Sequence, residues 1–390
     1  MFLPRWYPHK GDSMFGLFVK NHALTVLPKH DVSVLFVHPV ESQNRAYNIV
    51  VSNEDGLYTV RVYYQNPSGG FAPFTIIKKV CHFWKANKLG LKKIKETKGL
   101  PDLTHVNVLT RHGVFALWMK RKFKVPYIIT EHWSRYLPGT GTYGGVLRKL
   151  ITRLVVKKAS VVTTVSENLR KAMAAHHLNN LRYQVVYNVV DTDRFILREK
   201  EKVQNQKKRF IHISCFEDRS KNISGILSTL KELSKVRHDW ECVFVGVGED
   251  YELLTEYAAD LGLTPEFVKF AGLQEGEDLV QSLQESDFLI LFSNYENMPV
   301  VLGEAFACGK PVVSTNVGGI AEIVNNDRGI LVPAGDENAF MEALSIMLDT
   351  FDNYDAKALR EFAVTNFSAP KVGERFAAIY EANFSGTNNR

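Results

Sequence analysis

The sequence predicts an α/β protein built from two doubly wound parallel sheets. Short runs rich in β-branched and aromatic residues alternate with longer stretches of helical periodicity, which is the pattern of consecutive βαβ units. The runs are apolar at nearly every position, as expected for strands that helices cover on both faces. At 390 residues the chain has room for two or three domains.

The predicted elements define a domain plan. The strands are 32–39, 125–130, 159–166, 209–214, 242–248, 287–292 and 311–315. The charged segment 197–209 has no hydrophobic periodicity and is predicted to be a linker. A helix over roughly 370–383 starts at Pro370, a residue favoured in the first helical turn. We therefore expect an N-terminal domain at 1–195, a C-terminal domain at 196–368, and a C-terminal helix and tail at 369–390.

The charge is divided unevenly between the predicted domains. The whole chain holds 48 Lys and Arg against 42 Asp and Glu, for a net charge of +6. Residues 1–195 contain 29 basic and 11 acidic residues, so the remainder contains 19 basic and 31 acidic ones. The two parts carry +18 and −12. This asymmetry favours an anionic partner, a membrane or a nucleic acid, for the N-terminal part.

The cysteines and the apolar runs indicate the compartment. The four cysteines are far apart and form no Cys-x-x-Cys pair, so the sequence predicts neither a zinc site nor a disulfide framework. The N-terminus lacks the apolar stretch of a signal peptide, and no run approaches the ~18 apolar residues of a membrane span. We expect a cytoplasmic protein whose membrane contact, if any, is peripheral, on the inner face.

The richest predicted strand end follows 287–292. Ligands of open parallel sheets bind outside the carboxyl ends of the strands. Here a polar turn, 293–297, leads into a helix in which Pro299 suits the first position and Gly309 the C-terminal cap. The free amides at the helix start suit a diphosphate. Glu296 and Glu304 can accept hydrogen bonds from sugar or ribose hydroxyls.

These residues resemble the signature of retaining glycosyltransferases of family 4. The matching residues are Ser293, Glu296, Pro299, Glu304-Ala305, Gly309-Lys310-Pro311-Val312-Val313, Gly318-Gly319, Glu322 and Gly329-Ile330-Leu331-Val332. The segment VVYNVVDTDRF is similar to the interdomain segment of the family, with Val189 in place of a glycine. The resemblance implies a GT-B fold of two facing Rossmann-like domains, with a C-terminal helix that crosses back to the N-terminal domain.

The resemblance also implies a set of site residues. The implied catalytic residues are Glu296, which would contact donor-sugar hydroxyls, Lys221, which would bind phosphate, and His132, at the sugar end of the site. The candidate donor-binding residues are Gly16, Gly272, Asn297, Met298, Pro299, Val300 and Glu304, the last on the ribose, and, apart from the resemblance, Arg219. It implies a UDP- or GDP-type sugar donor, front-face transfer with retention, and neither a metal nor another cofactor. His112, expected at the end of the preceding strand, is a weaker candidate of the same kind as His132.

The sequence departs from the family pattern at the phosphate clamp. Cys215 occupies the position of the family's arginine and cannot neutralise phosphate. Arg219, in the same turn, offers planar bidentate donors, or is a solvated loop residue.

Two further motifs are not expected to bind a ligand. Asp191-Thr192-Asp193 has the spacing of an Asp-x-Asp metal motif but lies in the interdomain segment, which indicates a structural role. Gly246-Val247-Gly248 is half a dinucleotide fingerprint, with Tyr251 where the third glycine belongs, so NAD binding is not expected.

Two basic stretches account for much of the N-terminal charge. Residues 78–98 hold eight lysines, interleaved with Phe83, Trp84, Leu89, Leu91 and Ile94, and 147–158 hold five more basic residues. Basic amphipathic helices suit an anionic membrane surface, although such charge runs also occur as solvated helix faces. We therefore expect a lipid-linked glycan acceptor and a role in surface polysaccharide or lipopolysaccharide synthesis, without nucleic acid. The alternatives are a GT-B-like sugar-nucleotide 2-epimerase, and a polyanion- or nucleic-acid-binding protein, which no recognised motif supports.

Overall fold

The computed structural model describes residues 1–42, 45–67, 72–109, 111–138, 140–198 and 207–384. They form two compact units. Unit 1 comprises 1–165, 169–186 and the chain from 372 onward, and unit 2 comprises 166–168 and 187–371. The chain thus passes between units at 186/187, whereas the sequence plan places the boundary at 195/196. Of the predicted linker, 199–206 lie outside the described residues.

Unit 1 contains eight strands and most of six helices. The strands are β1 (Phe2–Pro4), β2 (Ser33–Val40), β3 (Tyr47–Glu54), β4 (Leu57–Gln65), β5 (Thr104–Asn107), β6 (Tyr127–Glu131), β7 (Val162–Thr164) and β8 (Tyr183–Val185). The helices are α1 (Leu17–Val26), α2 (Ala72–Lys98), α3 (Arg111–Phe123), α4 (Val146–Lys158), α5 (Glu167–Ala175) and, at the end of the chain, α13 (Ala369–Phe384). Helices α5 and α13 each begin in unit 2.

The sheet of unit 1 has the order β3-β4-β2-β1-β5-β6-β7-β8. Every neighbouring pair is parallel except β3 and β4, which form an antiparallel hairpin. The hairpin turns at Asp55 and Gly56, whose φ angles of 52° and 83° are those of the tight turn that Asp-Gly favours. This hairpin is not among the elements predicted from the sequence. Strand order reverses at β1, so β1 and β5 flank a topological switch point.

Unit 2 contains six parallel strands and seven helices among its described residues. The strands are β9 (Lys208–Ile213), β10 (Trp240–Val245), β11 (Val268–Gly272), β12 (Phe288–Leu291), β13 (Val312–Thr315) and β14 (Gly329–Val332). The helices are α6 (Asp218–Lys221), α7 (Ile223–Val236), α8 (Tyr251–Asp260), α9 (Gly276–Glu285), α10 (Val300–Ala307), α11 (Glu337–Thr350) and α12 (Ala356–Phe367). The sheet order β11-β10-β9-β12-β13-β14 is the doubly wound order of dinucleotide-binding folds, with its switch point between β9 and β12.

The prediction of two parallel, helix-covered sheets is confirmed. The central strands β12 and β13 of unit 2 are buried at every position, and the rings of Phe210 and Phe288 stack at 4.9 Å in the core beside the fully buried Trp240. In unit 1 the last helix packs on the sheet, because the buried Tyr380 hydroxyl lies 2.7 Å from Nδ1 of the buried His105. No helix in the described part of the chain is long and apolar enough to cross a bilayer.

Candidate active site

The crevice of unit 2 lies where the loops after β9 and β12 leave neighbouring strands. The first loop passes Cys215 and enters α6, and the second passes the turn 293–297 and enters α10. The two loops are bonded to each other through Asn294. Its backbone N–H donates to the Ser220 carbonyl (2.8 Å) and its side-chain amide donates to the Arg219 carbonyl (3.1 Å). The topology therefore brings together two segments that are far apart in sequence.

Lys221 and Glu296 meet in this crevice. The ammonium of Lys221 donates to Oε1 of Glu296 at 2.5 Å, and the Ser293 hydroxyl donates to the same oxygen at 3.0 Å. Only 17% of the Lys221 side chain and 11% of the Glu296 side chain are exposed. Burial alone would lower the pKa of Lys221, but the neighbouring Glu296 carboxylate holds that pKa above its ordinary value. The lysine is therefore a fixed cation, and an ammonium has three donors, so two remain for a ligand.

A glycine pair supports the backbone of Glu296. Gly318 has a φ of +59°, and a Cβ there would lie 1.9 Å from the Glu296 carbonyl oxygen. The N–H of Gly319 donates to the Asn297 carbonyl at 2.8 Å. Glycine is required at Gly318 because both the left-handed conformation and the close backbone approach exclude a side chain. The Gly-Gly of the sequence signature is thus explained by the turn on which Glu296 sits.

Cys215, which replaces the family's arginine, lies beside this pair. Burial raises the pKa of the Cys215 thiol; the Lys221 cation opposes that shift and the Glu296 carboxylate adds to it. Arg219 is exposed, and its guanidinium forms no ion pair or hydrogen bond with the residues that the structure describes. Its place two residues before Lys221 in the short helix α6 is compatible with a contact to the same ligand.

The start of α10 is one residue later than the sequence predicts. Pro299 is the N-cap, with extended φ and ψ of −64° and 125°, and the helix begins at Val300. No side chain caps this end, so its amides are directed out of the helix start. Met298 is buried, and its carbonyl accepts from the Asn188 amide at 3.4 Å. Asn297 accepts a hydrogen bond from Ser166 at 2.9 Å through its side-chain oxygen.

Glu304 lies one helical turn into α10. Burial raises the pKa of its carboxyl group to about 7. Its carboxylate forms no hydrogen bond or ion pair with any described side chain. A carboxylate in this condition is stabilised by any ligand that brings hydroxyl donors to it.

Three other glycines of unit 2, which the sequence singled out, differ in why glycine is needed. Gly272 ends β11 with a φ of +68°, and nothing lies within 4 Å of a Cβ built there. Gly246 and Gly248 are required for packing instead, since a Cβ would lie 1.9 Å from the Ser214 carbonyl and 2.5 Å from that of Phe216. The half fingerprint in the sequence is therefore explained by the close contact between the loops after β9 and β10.

In unit 1, Gly16 and His132 lie in loops that follow β1 and β6. Gly16 is the N-cap of α1 with a φ of +72°, and a Cβ there would lie 2.3 Å from the Trp6 carbonyl carbon. His132 Nε2 lies 3.3 Å from Oδ1 of Asn107, and its ring packs on Phe18 at 4.6 Å. Gly16 thus has a structural requirement of its own, beside the donor contact that the resemblance implies.

His112 does not end a strand as the sequence analysis expected. Strand β5 ends at Asn107, and His112 is the second residue of α3. Burial, together with the nearby cations of Arg111 and Arg5, lowers its pKa to about 3. The imidazole is therefore neutral at physiological pH.

Sequence reasoning assigned no role to Glu131, which anchors the end of β6. It is fully buried, and its carboxylate accepts the backbone N–H groups of Leu109 (2.8 Å), His132 (2.9 Å) and Trp133 (2.9 Å). Sequence reasoning also overlooked Asn107. Their positions in the sequence could have indicated a role, because Asn107 and Glu131 each end a strand and the two strands are neighbours in the sheet.

The described residues contain no group of three or more His, Cys, Asp or Glu side chains arranged to hold a metal ion. Asp191, in the Asp-x-Asp segment, instead accepts the backbone N–H of Arg194 at 3.1 Å through its carboxylate. Its carbonyl accepts the N–H of Phe195 at 2.8 Å.

Comparison with known proteins gives consistent matches over both units. The family described as Glycosyltransferase Family 4 matches residues 27–194, and Glycosyl transferases group 1 matches residues 193–359. N-acetyl-alpha-D-glucosaminyl L-malate synthase of Bacillus anthracis is 27% identical over 72% of this chain and 74% of its own. Lipopolysaccharide 1,6-galactosyltransferase of Escherichia coli is 25% identical over 46% of this chain and 50% of its own. The crystal structure of Alr3699/HepE of Anabaena with UDP and glucose superposes with a TM-score of 0.72 at 16% identity, over 98% of this chain and 99% of the other.

Proposed function

Because the chain belongs to the group 1 glycosyltransferases and has the GT-B fold, we propose that it transfers a sugar from a nucleoside diphosphate to an acceptor hydroxyl with retention of configuration. The observation that carries this proposal is the Lys221–Glu296 pair, 2.5 Å apart in the switch-point crevice of unit 2. Its relatives include an enzyme named for lipopolysaccharide galactosyl transfer. This likeness supports a role in surface polysaccharide or lipopolysaccharide synthesis.

The donor is a nucleotide sugar with its diphosphate at Lys221 and the start of α10. The anomeric carbon–oxygen bond to the diphosphate breaks, the acceptor oxygen bonds to the same face of that carbon, and the acceptor proton passes to the departing diphosphate. Lys221 and the free amides of α10 stabilise the charge that develops on the leaving group. These fixed donors support transfer without a metal ion. Glu296 binds donor-sugar hydroxyls, and Glu304 binds the ribose.

The acceptor is a lipid-linked glycan that unit 1 receives at a membrane, and the surface of α4 supports this part of the proposal. Its outer face exposes an apolar row that consists of Val146 (77%), Leu147 (71%), Leu150 (58%), Ile151 (38%) and Leu154 (40%). Arg148, Lys157 and Lys158 are exposed on the same helix. Apolar insertion and attraction of about 1 kcal/mol per basic residue act together at an anionic bilayer.

Helix α2 contributes to this surface differently from the sequence expectation. Phe83, Leu91 and Ile94, which the sequence offered as a membrane face within 78–98, are 1–5% exposed and belong to the core of unit 1. The exposed apolar side chains of α2 lie at its start, where Phe74 is 65% and Ile76 62% exposed. The lysines of 78–98 therefore contribute charge, and the apolar contact is made by α4 and the first turns of α2.

The transferase assignment is tested in two stages. Thermal shift against UDP- and GDP-sugars identifies the donor, since a ligand at a hundredfold excess over its Kd adds ~2.7 kcal/mol of stability. Release of nucleoside diphosphate is then measured with lipid-linked glycan acceptors, and NMR of the product reports the configuration at the new linkage. Conversion of the nucleotide sugar without acceptor would indicate an epimerase instead. Activity unchanged by EDTA is expected from metal-independent transfer.

Variants of the central pair test the site. We expect Lys221→Met and Glu296→Gln to lower kcat by at least about a hundredfold, since each removes a charged contact to the reacting groups. The matched controls are Lys235→Met and Glu232→Gln, which alter an exposed pair of the same unit with Nζ and Oε1 2.7 Å apart. Equal loss in both sets would mean that the effect is not specific to the crevice.

A further inference from the structure

Three arginines cluster at the switch point of unit 1. Arg5 follows β1, Arg111 follows β5 and begins α3, and Arg135 follows β6. These strands are consecutive neighbours in one parallel sheet, so all three residues lie at its carboxyl edge. This is the edge where open parallel sheets bind ligands, and the sheet order reverses beside β1.

Two of these arginines are held against the indole of Trp133. The guanidinium carbon of Arg135 lies 3.8 Å from the ring centroid, and that of Arg5 lies 4.4 Å from it. The ring of Trp6 meets that of Trp133 edge-on, with the ring centroids 5.4 Å apart, and this contact holds the Trp133 indole in place. A guanidinium over an aromatic ring keeps its N–H groups in its own plane, where they can bind an oxyanion with two parallel hydrogen bonds.

The three arginines of the cluster have no ion-pair partner in the described part of unit 1. No carboxylate among the described residues forms an ion pair with Arg5, Arg111 or Arg135. The nearby Glu131 already accepts three backbone N–H groups, and burial raises the pKa of its carboxyl group. Burial lowers the pKa of Arg5, the charges of Arg111 and Arg135 lower it further, and the Glu131 carboxylate offsets only part of this shift.

Three other arginines of the described residues, all partly buried, have carboxylate partners, whereas Arg153, Arg328 and Arg360 donate to backbone carbonyls. Arg61 binds Glu54 at 2.8 Å, Arg209 binds Glu285 at 2.7 Å, and Arg237 binds Asp349 at 2.7 Å. In the cluster, by contrast, Nε of Arg135 is buried without an acceptor, and its Nη2 donates to the Thr142 carbonyl at 3.2 Å. Arg111 also stands at a helix N-terminus, where the helix dipole disfavours a cation.

We propose that Arg5, Arg111 and Arg135 bind an oxyanion, a phosphate or carboxylate, that the acceptor carries near the hydroxyl that receives the sugar. The proposal rests on the transferase function and specifies the chemistry of its acceptor. Trp133 orients the two stacked guanidiniums, and the hydroxyl to be glycosylated belongs to the same molecule as the anion. Arg111 is hydrogen-bonded to Tyr64 and lies over Phe83, so a neutral glycan would leave these three cations with uncharged partners only.

Binding is tested apart from transfer, with inorganic pyrophosphate as the probe. The chain holds five tryptophans, so protein labelled with 5-fluorotryptophan gives few ¹⁹F signals, and Trp133→Phe assigns the one of interest. We expect pyrophosphate to shift the Trp133 signal while that of Trp240, buried in unit 2, stays in place. The double variant Arg5→Gln/Arg135→Gln is expected to weaken this binding at least about tenfold.

Matched variants separate binding from folding and from general charge. Arg5→Lys/Arg135→Lys keeps both charges without the planar fork and is expected to bind with intermediate affinity. Arg182→Gln removes an exposed arginine just before β8, at the opposite edge of the same sheet, and is expected to bind like the wild type. A Trp133 signal that pyrophosphate does not move, or that moves equally in the Gln double variant, would overturn the proposal.

The source of the anion is then resolved by transfer assays. Acceptors with a lipid-borne diphosphate, with a free carboxylate, and with neither are compared at a fixed donor concentration. The Gln double variant is expected to raise KM at least about tenfold for the anionic acceptor only, with donor binding unchanged. Equal loss with the neutral acceptor would contradict the inference, whereas absence of transfer in the wild type would contradict the proposed function and leave the pyrophosphate result to stand on its own.

Discussion

Lys221 Nζ lies 2.5 Å from Glu296 Oε1, although 75 positions separate the two residues in the chain. Each charge depends on the other, because both side chains are mostly buried. We expect Lys221→Met or Glu296→Gln alone to lower the free energy of unfolding by about 2 kcal/mol, less than the 3–5 kcal/mol for fully buried pairs. The double variant should regain a large part of that loss. Urea unfolding of the four proteins measures the coupling, and simple additivity of the single effects would contradict it.

The glycine turn under Glu296 gives a second prediction. Gly318→Ala places a Cβ 1.9 Å from the Glu296 carbonyl oxygen, so the turn must move and the carboxylate with it. We expect lost transfer activity together with lower stability. The control is Gly335→Ala, at a φ of +74° with nothing within 4 Å of the new Cβ, which should cost only about 1 kcal/mol of backbone strain. Similar thermal shifts for both variants would show that the close approach is unimportant.

Glu304 gives a pH-dependent prediction. Its pKa of about 7 in the folded protein lies above the ordinary value of 4.5, so the folded state binds the proton more tightly than the unfolded state. The resulting stabilisation is present below about pH 4.5 and is lost as the pH rises through 7. Glu304→Gln removes this loss and should stabilise the protein by up to about 3 kcal/mol at pH 8.

The same substitution should have little effect on stability at pH 4.5. Thermal or urea unfolding at both pH values measures the difference, with the exposed Glu342→Gln as the control. A stabilisation that is equal at the two pH values would contradict the raised pKa. Nucleotide-sugar affinity in the wild type should fall as the pH drops below 7, because a protonated Glu304 accepts hydroxyl donors less well.

The phosphate clamp gives a fourth prediction. If Arg219 takes the role that Cys215 cannot fill, Arg219→Gln should weaken nucleoside diphosphate binding roughly tenfold, the usual size of one charged hydrogen bond. Affinity for the nucleoside should be unchanged. Cys215→Arg in the same background should restore binding, since that position adjoins Lys221 and Glu296. Calorimetric titration with the nucleoside diphosphate and with the nucleoside measures both affinities. Wild-type affinity of Arg219→Gln for the diphosphate would exclude a role for this arginine.

The apolar row on α4 gives a fifth prediction. Leu147 and Leu150 are 71% and 58% exposed, so Leu147→Glu/Leu150→Glu should preserve folding and abolish flotation with anionic vesicles. Leu253→Glu is the control, because Leu253 is 65% exposed on α8 of unit 2. In the wild type, added salt should weaken binding by screening the basic residues. Flotation of the α4 variant at the wild-type level would remove this helix from the proposed membrane surface.

The sequence predicted the structure correctly where a residue pattern is compatible with only one kind of element. Apolar runs such as 287–292 indicated buried parallel strands, and the structure has β12 there. The Asp55-Gly56 hairpin has a local signal as well, but it does not belong to the βαβ pattern from which the strands were predicted. In 78–98 the local pattern was ambiguous, since Phe83 and Ile94 face the core while the lysines remain outside. An amphipathic pattern reports that one face is apolar and does not identify what covers it.

The sequence by itself determined the α/β class, the parallel sheets and the segments that carry the chemistry. Burial on both faces of a strand produces a short apolar run, and a tight turn requires glycine, so both features can be recognised within a few consecutive residues. The tertiary structure alone decided which segments meet. The order of the strands places the loop of Lys221 beside that of Glu296, and places Arg5, Arg111 and Arg135 at one edge of the other sheet. Those distances depend on strand order and register, which are set by packing between residues far apart in the chain.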